Sequence, residues 1–342
     1  MEATKYSIVI PIYNEEETFP ELVKQASEVM DLLDGPSEVV LVDDGSRDSS
    51  YQLMVEASLR DPRFKVVQLS RNFGHQIAIT AGMDATSGQA VIVMDADLQD
   101  PPHVILEMAA KWQEGYEVVQ AVREQRDGET VFKKTTATLF YNVLKRIAEI
   151  EQPVDVGDFR LVDRKALEAF LQMRESNRYV RGMFSWIGFR QVAVPYTRAP
   201  RHAGRSKYPL RKMLRFASDG IIGFSTAPLR LALAAGLLLA IASVGFGVVA
   251  IALKLAGLPY VPGYASLLVA ITFLSGVQLI MIGMVGQYVA RIYDEARGRP
   301  LYLVRETHGF TERGEGNGRA SWPAAQDQTN APTGHTPRRP AK

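Results

Sequence analysis

Cysteine is absent from this chain of 342 residues, which excludes disulfides, thiolate nucleophiles and cysteine-based zinc sites and fits a reducing compartment. An excess of one charge is missing too. The 39 Lys and Arg against 38 Asp and Glu leave a formal net charge of +1, so no overall field calls for nucleic acid as a partner. The opening Met1-Glu2-Ala3-Thr4-Lys5 has neither a basic n-region nor an apolar h-region, and no signal peptide is expected. The length leaves room for one large domain with attachments.

What the first half does contain is a series of short Val- and Ile-rich runs, at Tyr6 to Ile12, Val39 to Val42, Lys65 to Leu69, Val91 to Met94 and Val118 to Val122. Longer stretches of helical character separate them. The alternation predicts an α/β fold with a mainly parallel sheet. Such sheets bind ligands beyond the carboxyl ends of their strands, and polar clusters fall there: Tyr13-Asn14-Glu15, Asp43-Asp44-Gly45-Ser46, Arg71-Asn72-Phe73-Gly74-His75 and Asp95-Ala96-Asp97. One ligand could touch all four.

Asp95-Ala96-Asp97-Leu98-Gln99, at the end of the fourth run, carries the clearest chemistry. Carboxylates facing a diphosphate at about 4 Å would repel it by roughly 4 kcal/mol per charge pair at an effective dielectric near 20. A divalent cation removes that cost. Oxygen ligands suit Mg²⁺ or Mn²⁺, which complete their shells with phosphate and water. The competing role is structural, with Asp97 and Asp100 capping a helix begun by Pro101 and Pro102.

Charge is also lacking in two long stretches, Leu231 to Leu253 and Tyr264 to Ala290. The 23 residues of the first, at about 1.5 Å each, exceed a hydrocarbon core of about 30 Å. Two transmembrane helices are expected, with a buried helical hairpin as the alternative. Arg211, Lys212, Arg215 and Arg230 precede them, and Arg291, Arg297 and Arg299 follow, while the connection offers only Lys254. This bias places both chain ends in the cytoplasm. From Tyr208 to Phe224, Leu210, Met213, Leu214, Ala217 and Ile221 recur at helical spacing among cations, as in an interfacial amphipathic helix or a core-facing surface helix. Gly245, Gly247, Gly276 and Gly283 leave room for close helix contacts in a homo-oligomer. The expected organisation is a catalytic domain at 1–205, an interfacial helix at 206–226, a two-helix membrane region at 227–292, a juxtamembrane segment at 293–310 and a disordered tail at 311–342.

The chain resembles GT-A glycosyltransferases of family two, within them the dolichyl-phosphate mannosyltransferases and bacterial polyprenyl-phosphate (bactoprenol) glucosyltransferases. The resemblance covers residues 5 to about 305. It rests on Pro11-Ile12-Tyr13-Asn14-Glu15, Val42-Asp43-Asp44-Gly45-Ser46, Asp95-Ala96-Asp97-Leu98-Gln99, Gly157-Asp158-Phe159-Arg160-Leu161 and Arg201-His202-Ala203-Gly204-Arg205-Ser206-Lys207-Tyr208. Arg181-Gly182 followed by Ser185-Trp186, with paired C-terminal helices, is most similar to the bactoprenol branch.

The resemblance implies that Pro11, Tyr13, Glu15, Val42 and Asp44 line the nucleoside pocket, with Asp44 accepting from the base or ribose and Ala96 contacting the nucleotide through its backbone. It implies Asp97 and Gln99 as metal ligands, Asp95 on metal or sugar, and Arg123, Arg201 and Lys207 on phosphate. Arg126 is a weaker phosphate candidate. Asp158 is the acid/base position of that branch. A phosphate monoester with a second pKa near 6 is already largely ionised at pH 7, so Asp158 is expected to orient the acceptor or balance Arg160. His75 is expected to be structural, outside the site. The implied reaction is inverting transfer of a hexose, first choice glucose from UDP-glucose, to undecaprenyl phosphate at the cytoplasmic membrane face. Other donors (GDP-mannose, UDP-galactose or a 4-amino-arabinose derivative) and a nucleotide-sugar-binding scaffold without turnover are the alternatives.

Overall fold

The computed structural model describes residues 3–123, 156–197, 227–256 and 263–310. The expected amphipathic helix, the linker between the two apolar helices and the tail lie outside these residues. In the first half, β1 (Tyr6–Ile12), β2 (Ser37–Asp43), β3 (Phe64–Leu69), β4 (Ala90–Val93) and β5 (Val118–Arg123) alternate with α1 (Phe19–Leu32), α2 (Ser50–Arg60), α3 (His75–Ala85) and α4 (Val104–Gln113). There follow β6 (Val156–Asp163), α5 (Arg164–Gln172), α6 (Val180–Trp186), β7 (Gln191–Tyr196), the long helices α7 (Ala227–Leu255) and α8 (Tyr264–Ala296), and β8 (Val304–His308).

The strands form one sheet in the order β7-β5-β6-β4-β1-β2-β3-β8. β1 pairs parallel with β2 and β4, and β2 with β3. β6 enters antiparallel between β4 and β5, and β8 closes the far edge antiparallel to β3. The sheet is therefore mixed but mainly parallel at its centre.

Every residue of β1 is buried, because helices cover both faces. Ile8, Ile10 and Ile12 alternate toward a core with Phe19 and Leu22 of α1, Met54 of α2 and Met108 of α4. Val9, between them, joins Val40 and Val42 against Ala78 and Ala81 of α3 on the other side. The period of two in the strand sends successive side chains to opposite layers. Pro11 is tolerated in this central strand because β4 pairs only with Tyr6 to Val9; by Pro11 one side of β1 has opened and a missing N–H costs less.

The end of α8 and the stretch after it return to the sheet domain. Ser176 N donates to Glu295 Oε1 at 2.7 Å, the Tyr302 hydroxyl to Asp84 Oδ2 at 2.6 Å, and β8 pairs along β3 from Val66↔His308 to Leu69↔Val304. A domain ending at residue 205 thus leaves out one strand of its own sheet. α7 and α8 contain windows at Ala232–Val249 and Val269–Ala296 with mean hydropathy 2.3 and 2.0, long and apolar enough to cross a membrane. Neither window is buried. Leu233 is 75% and Phe246 69% exposed, whereas a hairpin buried in a soluble protein would cover such side chains.

Candidate functional site

An open cleft of about 290 Å³ lies at the carboxyl ends of the central strands. Pro11, Tyr13 and Glu15 line it from the end of β1, and Asp44 from the end of β2. Gly74 and His75 reach it from the β3–α3 turn, and Asp95, Ala96 and Asp97 from the end of β4. Parallel register explains the meeting, since Ile12 stands beside Asp43 and Val9 beside Val93. Among the described residues, the non-glycine residues with positive φ are Asn14 and Leu98, both at 55°. Both sit in the loops that bring Tyr13, Glu15 and Asp97 to the cleft. A left-handed Leu costs roughly 1–2 kcal/mol, strain of the kind that collects at ligand clamps.

Asp44 is buried, and its two oxygens already accept the backbone N–H groups of Phe73 at 2.7 Å and Gly74 at 3.0 Å. Burial raises its pKa despite those bonds. The expectation that Asp44 serves a base or ribose must therefore share its lone pairs with the turn that it clamps. Its neighbour Asp43 closes an Asx-type turn, accepting from Ser46 N at 2.9 Å. Val42 departs from the expected lining. Its side chain is fully buried and faces α3, where a Cβ on Gly82 would come within 2.9 Å of it. Sequence order placed it beside Asp43, and the alternation of the strand turned it to the core.

The residues proposed to hold a cation carry hard oxygen donors. Asp95 Oδ1 and Gln99 Oε1 are buried and accept no hydrogen bond among the described residues. Buried acceptors left unsatisfied are costly, so a ligand there would relieve them. Asp97 Oδ1 holds its own turn by accepting from Gln99 N at 3.1 Å. Among the described residues no group of three or more His, Cys, Asp or Glu is arranged to hold a metal ion by itself. Two carboxylates and an amide fit a cation that draws its remaining ligands from phosphate and water. α4 begins at Val104, and the side chain of its N-cap residue, His103, makes no capping bond.

His75 occupies the centre. Its Nε2 is 3.4 Å from Asp95 Oδ1 and 3.3 Å from Asp158 Oδ2. Burial pulls its pKa down, but Asp158 and Asp95 outweigh that and hold it raised. Asp95 is pushed up to about 6, first by burial, with His75 opposing and Asp158, Asp100 and Asp97 adding to the rise. Asp158 goes the other way. Burial alone would raise it, yet His75 and Arg181 hold it below the ordinary carboxylate range. Arg181 gives it two bonds, Nε to Oδ1 at 3.0 Å and Nη2 to Oδ2 at 3.1 Å, and Gln76 Nε2 a third at 3.2 Å. Arg160 Nη2 stands 3.7 Å away and itself donates to the Gly157 carbonyl at 2.8 Å. A carboxylate so surrounded accepts protons poorly.

Arg123, at the end of β5, donates from Nε to the Tyr196 hydroxyl at 3.2 Å, and its Nη2 is 3.9 Å from Asp100 Oδ1. Burial would lower its pKa, but Tyr196 and Asp100 raise it on balance. It flanks Gly157, where a Cβ would come within 3.3 Å of its Nη2. Arg123 thus lies beside the segment that carries Asp158. Arg126, Arg201 and Lys207 lie outside the described residues. Sequence reasoning left out His75, Gln76 and Arg181 as site residues. Their partners are distant along the chain, and the available cues were the polar cluster of His75 at the end of a strand and the Arg181-Gly182 pair of the resembled branch.

The family model "Glycosyl transferase family 2" matches residues 7–171. An "Uncharacterized glycosyltransferase YkcC" of Bacillus subtilis (strain 168) is 50% identical over 309 residues, 90% of this chain and 96% of that one. A "SfII prophage-derived bactoprenol glucosyl transferase" of Shigella flexneri is 40% identical over 304 residues, 89% of this chain and 98% of that one. Among solved structures, the mannosyltransferase PcManGT from Pyrobaculum calidifontis, in complex with GDP-Man and Mn²⁺, is 20% identical, with 82% of this chain and 88% of that chain covered at a TM-score of 0.43. With half of the aligned residues identical along 96% of one relative, and the family model matched over residues 7–171, this chain belongs to glycosyl transferase family 2.

Proposed function

We propose that this protein transfers a hexose, first choice glucose from UDP-glucose, to a polyprenyl phosphate at the cytoplasmic face of a membrane, with inversion at the anomeric carbon. The observation that carries the reading is the meeting of Asp44, Asp95 and Asp97 around one open cleft at the strand ends. Likeness to a bactoprenol glucosyl transferase along most of both chains supports the acceptor class.

In this reading Pro11, Tyr13, Glu15 and the backbone of Ala96 hold the nucleotide, with Asp44 beneath them. Asp95, Asp97 and Gln99 would hold Mg²⁺ or Mn²⁺. When bound, the cation offsets charge growing on the departing diphosphate. Arg123 supplies a forked donor to phosphate from the other flank, and Arg201 and Lys207 are assigned the same task. The lipid phosphate, largely dianionic at pH 7, attacks in line from the side opposite the diphosphate, which inverts the centre. Asp158 fixes Arg181 and Arg160 on the acceptor side and removes no proton.

α7 and α8 are assigned as membrane spans with both chain ends in the cytoplasm, and 206–226 as an interfacial helix beside them. They would keep the cleft near the headgroups, where positioning contributes much of the rate. The test is to incubate detergent-solubilised protein with polyprenyl phosphate, Mg²⁺ and each common nucleotide sugar. Formation of a glycolipid from UDP-glucose supports the proposal; none from any donor overturns it, and a different preferred donor corrects the sugar.

A further inference from the structure

The β3–α3 turn reaches three parts of the site at once. Its backbone, at Phe73 and Gly74, is held by Asp44. Gly74 has φ +99°, a conformation that strains any other residue. The His75 ring follows, facing both Asp95 and Asp158. The next residue, Gln76, uses both ends of its amide. Nε2 donates to Asp158 Oδ2 at 3.2 Å, and Oε1 accepts from Val180 N at 3.3 Å.

Val180 is the first residue of α6, where N–H groups have no partner within the helix. Arg181, next in the chain, grips Asp158 from the other side. The contacts form a closed circuit: Gln76 to Asp158, Asp158 to Arg181, Arg181 through its own backbone to Val180, and Val180 back to Gln76. The orientation of the amide follows from its partners. Reversed, its NH₂ would face a backbone donor and its oxygen a carboxylate.

We propose that Gln76 is a positioning residue for the acceptor side of the transferase site. It fixes the start of α6 against the donor-binding turn and so sets where the Asp158–Arg181 pair stands relative to Asp95. The inference rests on the transferase reading above. Displacement of about 1 Å of an orienting group can cost on the order of 10²-fold in rate.

Two variants test it, Gln76→Met, which keeps the volume and loses both bonds, and Gln76→Glu, which keeps an acceptor toward Val180 N but sets a carboxylate against Asp158. Kinetics with polyprenyl phosphate would be measured beside calorimetric binding of UDP with Mn²⁺ and amide hydrogen exchange in α6. The expected result is UDP affinity within about twofold of wild type, kcat/KM for the lipid lowered at least tenfold in both variants, and faster exchange at the start of α6 in Gln76→Met. Wild-type turnover and exchange, or UDP affinity falling in step with turnover, would overturn it. If Gln76→Met binds no UDP because it misfolds, Gln76→Glu decides by the same kinetic criterion. If the wild-type protein transfers no sugar, the functional reading fails while exchange in α6 still tests the placement.

Discussion

Arg181 holds Asp158 through two nitrogens, at 3.0 and 3.1 Å, on a carboxylate that is only 5% exposed. The pair, with Arg160 and His75 around it, makes Asp158 an organiser of cations. Asp158→Asn would strand buried positive charge and should lower stability by roughly 3 kcal/mol, the low end for breaking such a pair. Because the folded carboxyl sits below its ordinary value near 4, this contribution is complete above that value and is lost as pH falls through the folded one. Melting temperatures of wild type and variant in detergent should therefore converge in acid. Turnover of the variant should fall about equally from pH 6 to pH 9; a deficit that is deep at pH 6 and relieved at pH 9, where the lipid phosphate is ionised without help, would restore Asp158 as a base.

Asp95 shows the opposite linkage. Its carboxyl is pushed up to about 6 by burial first, and then by the carboxylates near it. Ionisation therefore costs stability as pH rises from about 4, the unfolded value, through 6. At about 1.4 kcal/mol per pKa unit the cost is at most about 3 kcal/mol, reduced by the quarter of the side chain that is open to solvent. Without divalent metal, Asp95→Asn should melt higher than wild type at pH 7.5 and not at pH 4.5. It should also lose the rise in melting temperature that Mn²⁺ with UDP is expected to give the wild type. Equal melting at pH 7.5 would contradict the burial cost.

At Gly82, α3 lies against the sheet with no room for a side chain. A Cβ there would come within 2.3 Å of Val9 Cγ1 and 2.9 Å of Val42 Cγ2. Gly82→Ala gains up to about 1 kcal/mol of helix propensity, but overpacking typically costs about 1–3 kcal/mol. A net loss is expected, read as a lower melting temperature. Because α3 starts at the turn whose Phe73 and Gly74 are held by Asp44, donor affinity should fall as well.

The central sheet was legible because β1 to β5 each carry a short run rich in Val and Ile that is largely buried. β6 was not, because Gly157, Asp158 and Arg160 break its apolar pattern. Arg160, 1% exposed, stays charged inside by donating to the carbonyls of Gly157 and Asp158. β8 was hidden by its charges, Arg305 and Glu306, which suit an edge strand. In the site, Asp44, Asp95 and Asp97 declared themselves by standing at strand ends. In the sequence His75 reads as structural because a lone histidine gives no spacing signal, and its two carboxylates meet it only in the folded sheet.

The most direct measurement is sugar transfer to polyprenyl phosphate from the preferred nucleotide sugar, with and without chelator, in wild type and Asp97→Ala. The account predicts that chelation stops transfer, that added Mg²⁺ or Mn²⁺ restores it, and that Asp97→Ala lowers it at least 10²-fold, about 2.7 kcal/mol of barrier. Transfer that survives both chelation and Asp97→Ala would contradict it.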